Sequence, residues 1–345
     1  MKKLIGAVLL VLVVLGLVNS SKFFQQQKSP FVEKQITVVS GKKDKQDTPN
    51  SPSPLVPHSS SLPHVSSEKL FAHIRALNYR RYTENERDRT RTYLIKSLKQ
   101  LGWKPERQPF AGGVNIFAQR QGTDPTGSIL VAAHYDTVPN SPGADDNASG
   151  VAVVLEIARL FGSRPTPRTL QLAFFDREEL GLLGSRAFVA NQKHLENLQA
   201  VLVLDMVGFA CRTAGCQKYP PMPIVPPSNQ GDFLAVVGDM EHASLLDAFQ
   251  SSVPELPPVL KLPVPLKGML MPDTLRSDHA PFWYQGVGAV LLTDTANLRT
   301  PHYHQPSDRP ATLDKSFFTG AAQIVVNATT KLLDSPIGSS NAPKP

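Results

Sequence analysis

The sequence reads as an α/β protein built on a mainly parallel sheet with helices on both faces. Three observations carry that reading. Short runs rich in β-branched and apolar residues recur along the chain, they lack a polar alternation, and helical stretches lie between several of them. Strands that are apolar on both faces belong to sheets covered on both sides, and alternation with helices is the pattern of parallel pairing.

Taken in order, helical apolar spacing appears first over 68–77 and again over 84–101. The second runs through Tyr93, Leu94, Leu98 and Leu101 and stops at Gly102. Strand runs follow at 115–118, 129–133, 170–175, 200–204, 234–237 and 287–292. Helices are expected over 150–161, 241–249 and 313–333, the last with Asp314 as its N-cap. In such sheets ligands bind beyond the carboxyl ends of the strands, so the residues just after each run are where chemistry belongs.

At 345 residues, 41% hydrophobic and 19% charged, the chain can bury a large core. A net charge of +7 would suit a polyanion if it lay on the folded part. Residues 1–65, however, hold eight lysines against Glu33, Asp44 and Asp47, a net of +5, which leaves +2 for all that follows. No nucleic-acid partner is therefore expected.

The head divides further. Lys2 and Lys3 precede an apolar run from Leu4 to Val18, followed by Asn19-Ser20-Ser21, the layout of a secretory signal. The run falls short of the ~20 apolar residues of a spanning helix. Residues 1–21 are thus a signal peptide or short membrane anchor, and export to the periplasm or the extracellular space is expected. Any membrane contact is expected through this segment alone. Residues 22–65 are too polar and proline-broken to build a core and read as a disordered linker. The domain is expected over 66–335, with a flexible tail over 336–345.

The strand ends carry a consistent set of residues. His134-Tyr135-Asp136 follows the run 129–133, and Gly143-Ala144-Asp145-Asp146-Asn147-Ala148-Ser149-Gly150 leads into a helix. Asp176-Arg177-Glu178-Glu179 follows 170–175, Asp205 ends 200–204, and the loop after 287–292 carries His302-Tyr303-His304. Each piece alone is commonplace: a surface pair, a turn, a solvated helix start. Together, at neighbouring ends of one sheet, the imidazoles and carboxylates form a donor set suited to Zn²⁺ or a similar divalent ion. The carboxylates outnumber the needs of one zinc, which points to two ions sharing a bridging carboxylate.

These motifs, with Phe175-Asp176-Arg177-Glu178-Glu179-Leu180-Gly181, Leu204-Asp205-Met206, Ser277-Asp278-His279-Ala280-Pro281-Phe282 and His304-Gln305-Pro306-Ser307-Asp308, closely resemble the co-catalytic zinc aminopeptidases of peptidase family M28. The resemblance runs over about residues 70–335 in the family's motif order. It implies a single zinc-exopeptidase-type α/β domain, with a twisted, mostly parallel mixed sheet between helices. It makes Asp146 the bridging carboxylate, with His134 and Asp205 completing one Zn²⁺ site and Glu179 and His304 the other. Glu178 is then the general base, and Asp136 accepts the N–H of His134 and fixes its tautomer. Asp145 and His302 are expected to be structural. The implied activity is release of the N-terminal residue from peptides with a free N-terminus, by a monomeric, exported metallo-aminopeptidase.

Two other functions stand beside it. Glutaminyl-peptide cyclotransferases share the fold and nearly the same ligand positions, but place a Trp before the last His ligand and another after the paired glutamates. Here those positions hold Tyr303 and Gly184. A non-catalytic relative would lose ligands, and all are present. Cys211 and Cys216 have the spacing of a small disulfide loop, zinc ligation being the alternative. The proline-rich stretches 219–227 and 254–272 are expected to shape the substrate pocket or to be rigid surface loops. The sequon Asn147-Ala148-Ser149 is set aside, since a glycan there would block Asp146. No His-Glu-x-x-His, Gly-x-Ser-x-Gly or Gly-x-x-x-x-Gly-Lys occurs.

Overall fold

A computed structural model describes residues 62–124, 127–220, 228–250 and 253–334. The expected signal segment, the linker up to residue 61 and the tail from 336 lie outside these residues. Order in the described chain starts with two helices, α1 (Ser67–Ala76) and α2 (Glu84–Gln100). The Ser66 hydroxyl accepts the Lys69 amide at the start of α1. Thr83 and Glu86 form a reciprocal capping box on α2, each side chain taking the other's backbone amide. Gly102 ends α2 at φ +81°, a left-handed position that favours glycine and lets the Trp103 amide reach back to Leu98 O at 3.0 Å.

Eight strands form one sheet: β1 (Glu106–Phe110), β2 (Gly113–Arg120), β3 (Ser128–His134), β4 (Thr169–Phe175), β5 (Leu198–Leu204), β6 (Leu234–Asp239), β7 (Val259–Val264) and β8 (Ala289–Thr293). Their order is β1-β2-β4-β3-β5-β8-β6-β7. The centre, β4-β3-β5-β8, is parallel. The β1–β2 hairpin joins it antiparallel through β2–β4, and β6 joins β8 antiparallel on the other side. The four central strands therefore end together, and their carboxyl ends form one floor.

The remaining helices are α3 (Ala148–Phe161), α4 (Leu183–Ala190), α5 (Ala280–Tyr284) and α6 (Lys315–Asp334). Side chains alternate between two buried clusters. Ile129, Val131 and Ala133 of β3 join a core with Leu94, Val154 and Phe318 from α2, α3 and α6. Leu130 and Ala132 point the other way, toward Phe188 and Trp283 of α4 and α5. Asp314 Oδ1 accepts the Phe317 amide at 2.9 Å, the capping bond expected of it at the start of α6.

The expected fold class and its central strands are present, and four local readings change. β1 and β7 are strands that the hydrophobic pattern does not mark. Both lie at sheet edges, are largely half-buried or exposed, and contain Pro109 and Pro263. The expected helix over 241–249 is a 3-10 segment, Met240–Ala248, kinked at His242. The short helices α4 and α5 are too brief to show a period. β8 starts two residues later than the apolar run. Among the described residues no helix is long and apolar enough to cross a membrane.

Candidate metal centre and active site

Each expected site residue lies on the floor made by the strand ends. His134 is the last residue of β3, Glu178 and Glu179 open the 3-10 turn after β4, and Asp205 follows β5 directly. His304 comes from the loop after β8, and Asp146 from the loop before α3. Asn147 caps α3 by accepting the Gly150 amide, and its Nδ2 donates to Leu204 O at 2.8 Å, which ties the Asp146 loop to the end of β5. The Asp146–Asn147 peptide bond is cis. Gly143, in the same loop, has φ +63°, and a Cβ there would lie 2.1 Å from Asp146 O, so only glycine fits.

The structure brings six of the seven expected residues into two donor groups: His134, Glu178 and Asp205 in one, and Asp146, Glu179 and His304 in the other. Asp146 faces both. Its Oδ1 is 3.4 Å from His134 Nε2 and its Oδ2 is 3.2 Å from His304 Nε2. Asp205 Oδ1 is 3.4 Å from His134 Nε2, and Glu179 Oε2 is 3.1 Å from His304 Nε2.

These separations fit a metal. Two donors bonded at 2.0–2.2 Å to one tetrahedral ion stand about 3.3–3.6 Å apart. The buried Oε1 of Glu179 has no protein partner, another sign of a donor aimed at something other than the chain.

Electrostatics agree. Burial and the nearby Asp146 push Glu179 up to about 7. Burial, then Asp205, Asp278 and Glu179, hold Glu178 well above the usual carboxylate range. Burial pulls His304 down, yet Asp146 and Glu179 outweigh it and raise the imidazole to about 10. His134 is likewise raised against its own burial by Glu178, Asp136, Asp146 and Asp205. The group carries more negative charge than the chain balances, a deficit that divalent cations correct.

The backbone is strained at the same place. Arg177, Met206 and His304 have φ of +61°, +54° and +58°, and they precede Glu178, follow Asp205 and are a donor, respectively. Non-glycine residues seldom hold this conformation, and it clusters where a site over-determines the chain.

Asp136 faces His134, the neighbour expected for it, and has further partners. Its Oδ1 is 3.6 Å from His134 Nδ1, longer than a hydrogen bond, so the pair is an electrostatic contact. Its carboxylate also accepts the backbone amides of Glu178 at 3.0 Å and Glu179 at 3.3 Å, and so sets the turn that carries both glutamates. Asp145 and His302 lie outside both donor groups, as expected. Asp145 Oδ1 accepts the Gly208 amide, and His302 Nδ1 meets Ser307 Oγ.

Three supports have no signature in the pattern. Asp308 accepts the amides of Asp145 (2.8 Å) and Asp146 (3.1 Å). Arg87 and Arg91 of α2 pair with buried Asp176, two residues before Glu178. Arg81, wholly buried, donates to the carbonyls of Tyr135, Pro142 and Gly143 on both ligand loops.

Cys211 and Cys216 form a disulfide, which removes them as zinc ligands. A cavity of about 610 Å³ opens beside the donor groups. Tyr219 and Pro220 line it, as do Leu270, Met271 and Pro272, so both proline-rich stretches reach the pocket wall. Residues 221–227 lie outside the described chain.

His279, at the mouth of α5, is buried against Trp283 and donates from Nε2 to Thr274 O at 2.8 Å. Its Nδ1 has no partner, so protonation there would bury an unsatisfied charge, and burial lowers its pKa to about 4. The unfolded chain takes up this proton near the ordinary value of 6.5, so the folded state loses stability as pH falls from about 6.5 to 4. The loss from this group is about 3 kcal/mol. Urea unfolding midpoints of wild type and His279→Gln across that range should show a shallower pH slope in the variant. Equal slopes would remove His279 as the cause.

The comparisons with known proteins decide the family. The model of Peptidase family M28 matches residues 115–329. The chain belongs to peptidase family M28. This M28 chain is 30% identical over 296 residues to the Escherichia coli protein YfbL, covering 79% of this chain and 89% of YfbL. It is 29% identical over 206 residues to Aminopeptidase YwaD of Bacillus subtilis, covering 58% of this chain and 40% of that one. Among solved structures, an aminopeptidase from Aneurinibacillus sp. strain AM-1 superposes with TM-score 0.62 at 18% identity, covering 79% of this chain and 95% of that chain. The Porphyromonas gingivalis glutaminyl cyclase superposes at 0.56 and 19%, covering 78% and 99%. At these identities the structures share the fold.

Proposed function

We propose that this M28 protein is an exported, monomeric aminopeptidase that removes the N-terminal residue of peptides through two zinc ions. One observation carries the reading: two imidazoles face the two oxygens of a single carboxylate, Asp146, beside a cavity large enough for a peptide end. His134 and Asp205 would hold one ion, Glu179 and His304 the other, and Asp146 would bridge them. Bound there, a zinc pair supplies Lewis-acid polarisation and eases ionisation of water.

The protein's own groups do the rest. Glu178 takes a proton from the attacking water and returns it to the amine that leaves. Glu178 and Asp205, with their neighbouring carboxylates, offer acceptors to a substrate's free amino group. Asp136 keeps the Glu178 turn in place through the two backbone amides. Export is supported by the N-terminal pattern and by the disulfide, a bond that persists in oxidising compartments.

Gly184 weighs against the cyclase. A Cβ there would stand 2.4 Å from Asp176 O, so the backbone leaves no room for the Trp that cyclases carry. The test is hydrolysis of a panel of aminoacyl chromophores with and without chelator, alongside a glutaminyl peptide. Chelator-sensitive release of free amino acid is expected. Conversion of the glutaminyl peptide to its pyroglutamyl form without amino-acid release would make it a cyclase, and absence of both with no bound zinc would make it a non-catalytic relative.

A further inference from the structure

Arg276 is an exposed residue on the wall of the cavity that also exposes Glu178, Glu179 and Asp205. Its guanidinium is held by neutral acceptors only. One terminal nitrogen donates to Asn297 Oδ1 at 2.9 Å and the other to the Tyr303 hydroxyl at 3.0 Å. Three of its five N–H groups are left over, arranged as a planar fork. Among the described residues Arg276 has no carboxylate partner. Asp273 also reaches the wall but forms no ion pair with it, and besides His304 the other basic side chain on the wall, Lys261, is paired with Asp247 at 3.3 Å.

The placement matters as much as the charge. The guanidinium carbon is 5.8 Å from the centroid of the Tyr303 ring, and that ring stacks on the His304 imidazole at 3.7 Å and 21°. Those two steps hold the guanidinium carbon within about 9.5 Å of the His304 ring centroid. Extended di- and tripeptides span about 7–11 Å. The cavity thus has a carboxylate-rich end, which suits an amino group, and an oriented cation no farther from His304 than a short peptide reaches.

Building on the aminopeptidase reading, we propose that Arg276 is a carboxylate anchor, which makes peptides bearing a carboxylate on the leaving side the favoured substrates. The carboxylate is the free C-terminus of a di- or tripeptide, or an acidic side chain of the second residue. Both present the same planar pair of oxygens to the fork, and in a partly closed cavity such a charge-assisted pair discriminates about ten- to a hundredfold against an uncharged analogue.

The experiment compares kcat/KM for leucine release by the metal-replete protein from Leu-Gly, Leu-Gly-Gly, Leu-Gly-amide and Leu-Glu-amide, with a leucyl chromophore as control. The free acids should exceed Leu-Gly-amide about ten- to a hundredfold, and Arg276→Gln should bring that ratio near one, with Arg276→Lys between. Turnover of Leu-Glu-amide that matches fast free acids shows that either carboxylate reaches the anchor, turnover as slow as Leu-Gly-amide assigns it to the C-terminus, and a fast Leu-Glu-amide beside slow free acids assigns it to the side chain. Wild-type turnover of the free acids and of Leu-Glu-amide no faster than that of Leu-Gly-amide overturns the anchor. So does an Arg276→Gln variant that slows every substrate alike, which would mark Arg276 as a support for Tyr303. Failure to release leucine even from the chromophore overturns the aminopeptidase reading itself.

Discussion

Glu178→Gln is expected to keep the protein folded and loaded with metal while hydrolysis falls by about a thousandfold. The two side chains have the same shape, so the turn after β4 should stand. Its position is set by the backbone amide of Glu178, held by Asp136 at 3.0 Å, and not by the side chain. What is lost is the ability to accept a proton, a contribution of typically 10²–10⁴ when a positioned base works in the transition state. The Glu178 carboxyl is buried and groups with His134 and Asp205, which puts it beside the metal position. That placement leaves two roles open to it, ligand or base, and the variant separates them. Metal analysis with a chromogenic aminoacyl substrate gives the answer. Full metal with lost turnover marks a base, whereas lost metal marks a ligand. A metal-replete variant within tenfold of wild type would leave Glu178 with neither role.

His134, Asp205 and the Glu178-Glu179 pair were legible because they end or closely follow strands whose apolar runs are obvious, whereas Asp146 and His304 sit in loops. Ile129 to Ala133 point alternately into two cores, so between Ser128 and His134 neither face of β3 carries a polar residue. A switch from unbroken apolar to charged residues is then a topological signal. The edge strands gave no such signal, because β1 and β7 bury at most one face and are interrupted by Pro109 and Pro263. The bridging part of Asp146 came from resemblance, and its two oxygens do face the two imidazoles. The further partners of Asp136 were not legible, since they are backbone amides, which every residue but proline offers. The same limit hid Arg81 and the part played by Asp308, a residue of the matched motif whose bonds go to backbone amides. An arginine in a charged, mixed stretch such as 80–91 reads as solvated surface, and only folding shows that Arg81, Arg87 and Arg91 are buried.

Replacing Arg81 should therefore cost more than any surface reading implies. Its side chain donates to five carbonyls: Leu77 and Tyr79 on its own segment, then Tyr135, Pro142 and Gly143. Tyr135 lies between His134 and Asp136, and Gly143 opens the loop that carries Asp146. The backbone is tied as well, with the Arg81 amide donating to Thr137 Oγ1 at 2.9 Å. Burial drags the guanidinium below its ordinary pKa, against which Tyr79, then Asp308, Asp146 and Asp136 beside the donor groups, raise it. Arg81→Leu leaves those carbonyls buried without donors and removes a cation from behind three carboxylates. A loss of about 3–5 kcal/mol is expected, the range seen when one side of a buried charge network is deleted. Arg81→Lys keeps the charge but not the fork, and should recover only part of it. Urea unfolding of the three proteins measures this directly, and a loss under about 1 kcal/mol for Arg81→Leu, the net value of one ordinary hydrogen bond, would show that the clamp is not structural. The outcome also bears on where the catalytic unit begins. The family match starts at residue 115, yet the clamp comes from residue 81 and its neighbours Arg87 and Arg91 hold Asp176. If Arg81→Leu unfolds the ligand loops, a fragment starting at residue 115 cannot keep His134 and Asp146 in register, and α1 and α2 belong to the site as much as the strands that bear its donors.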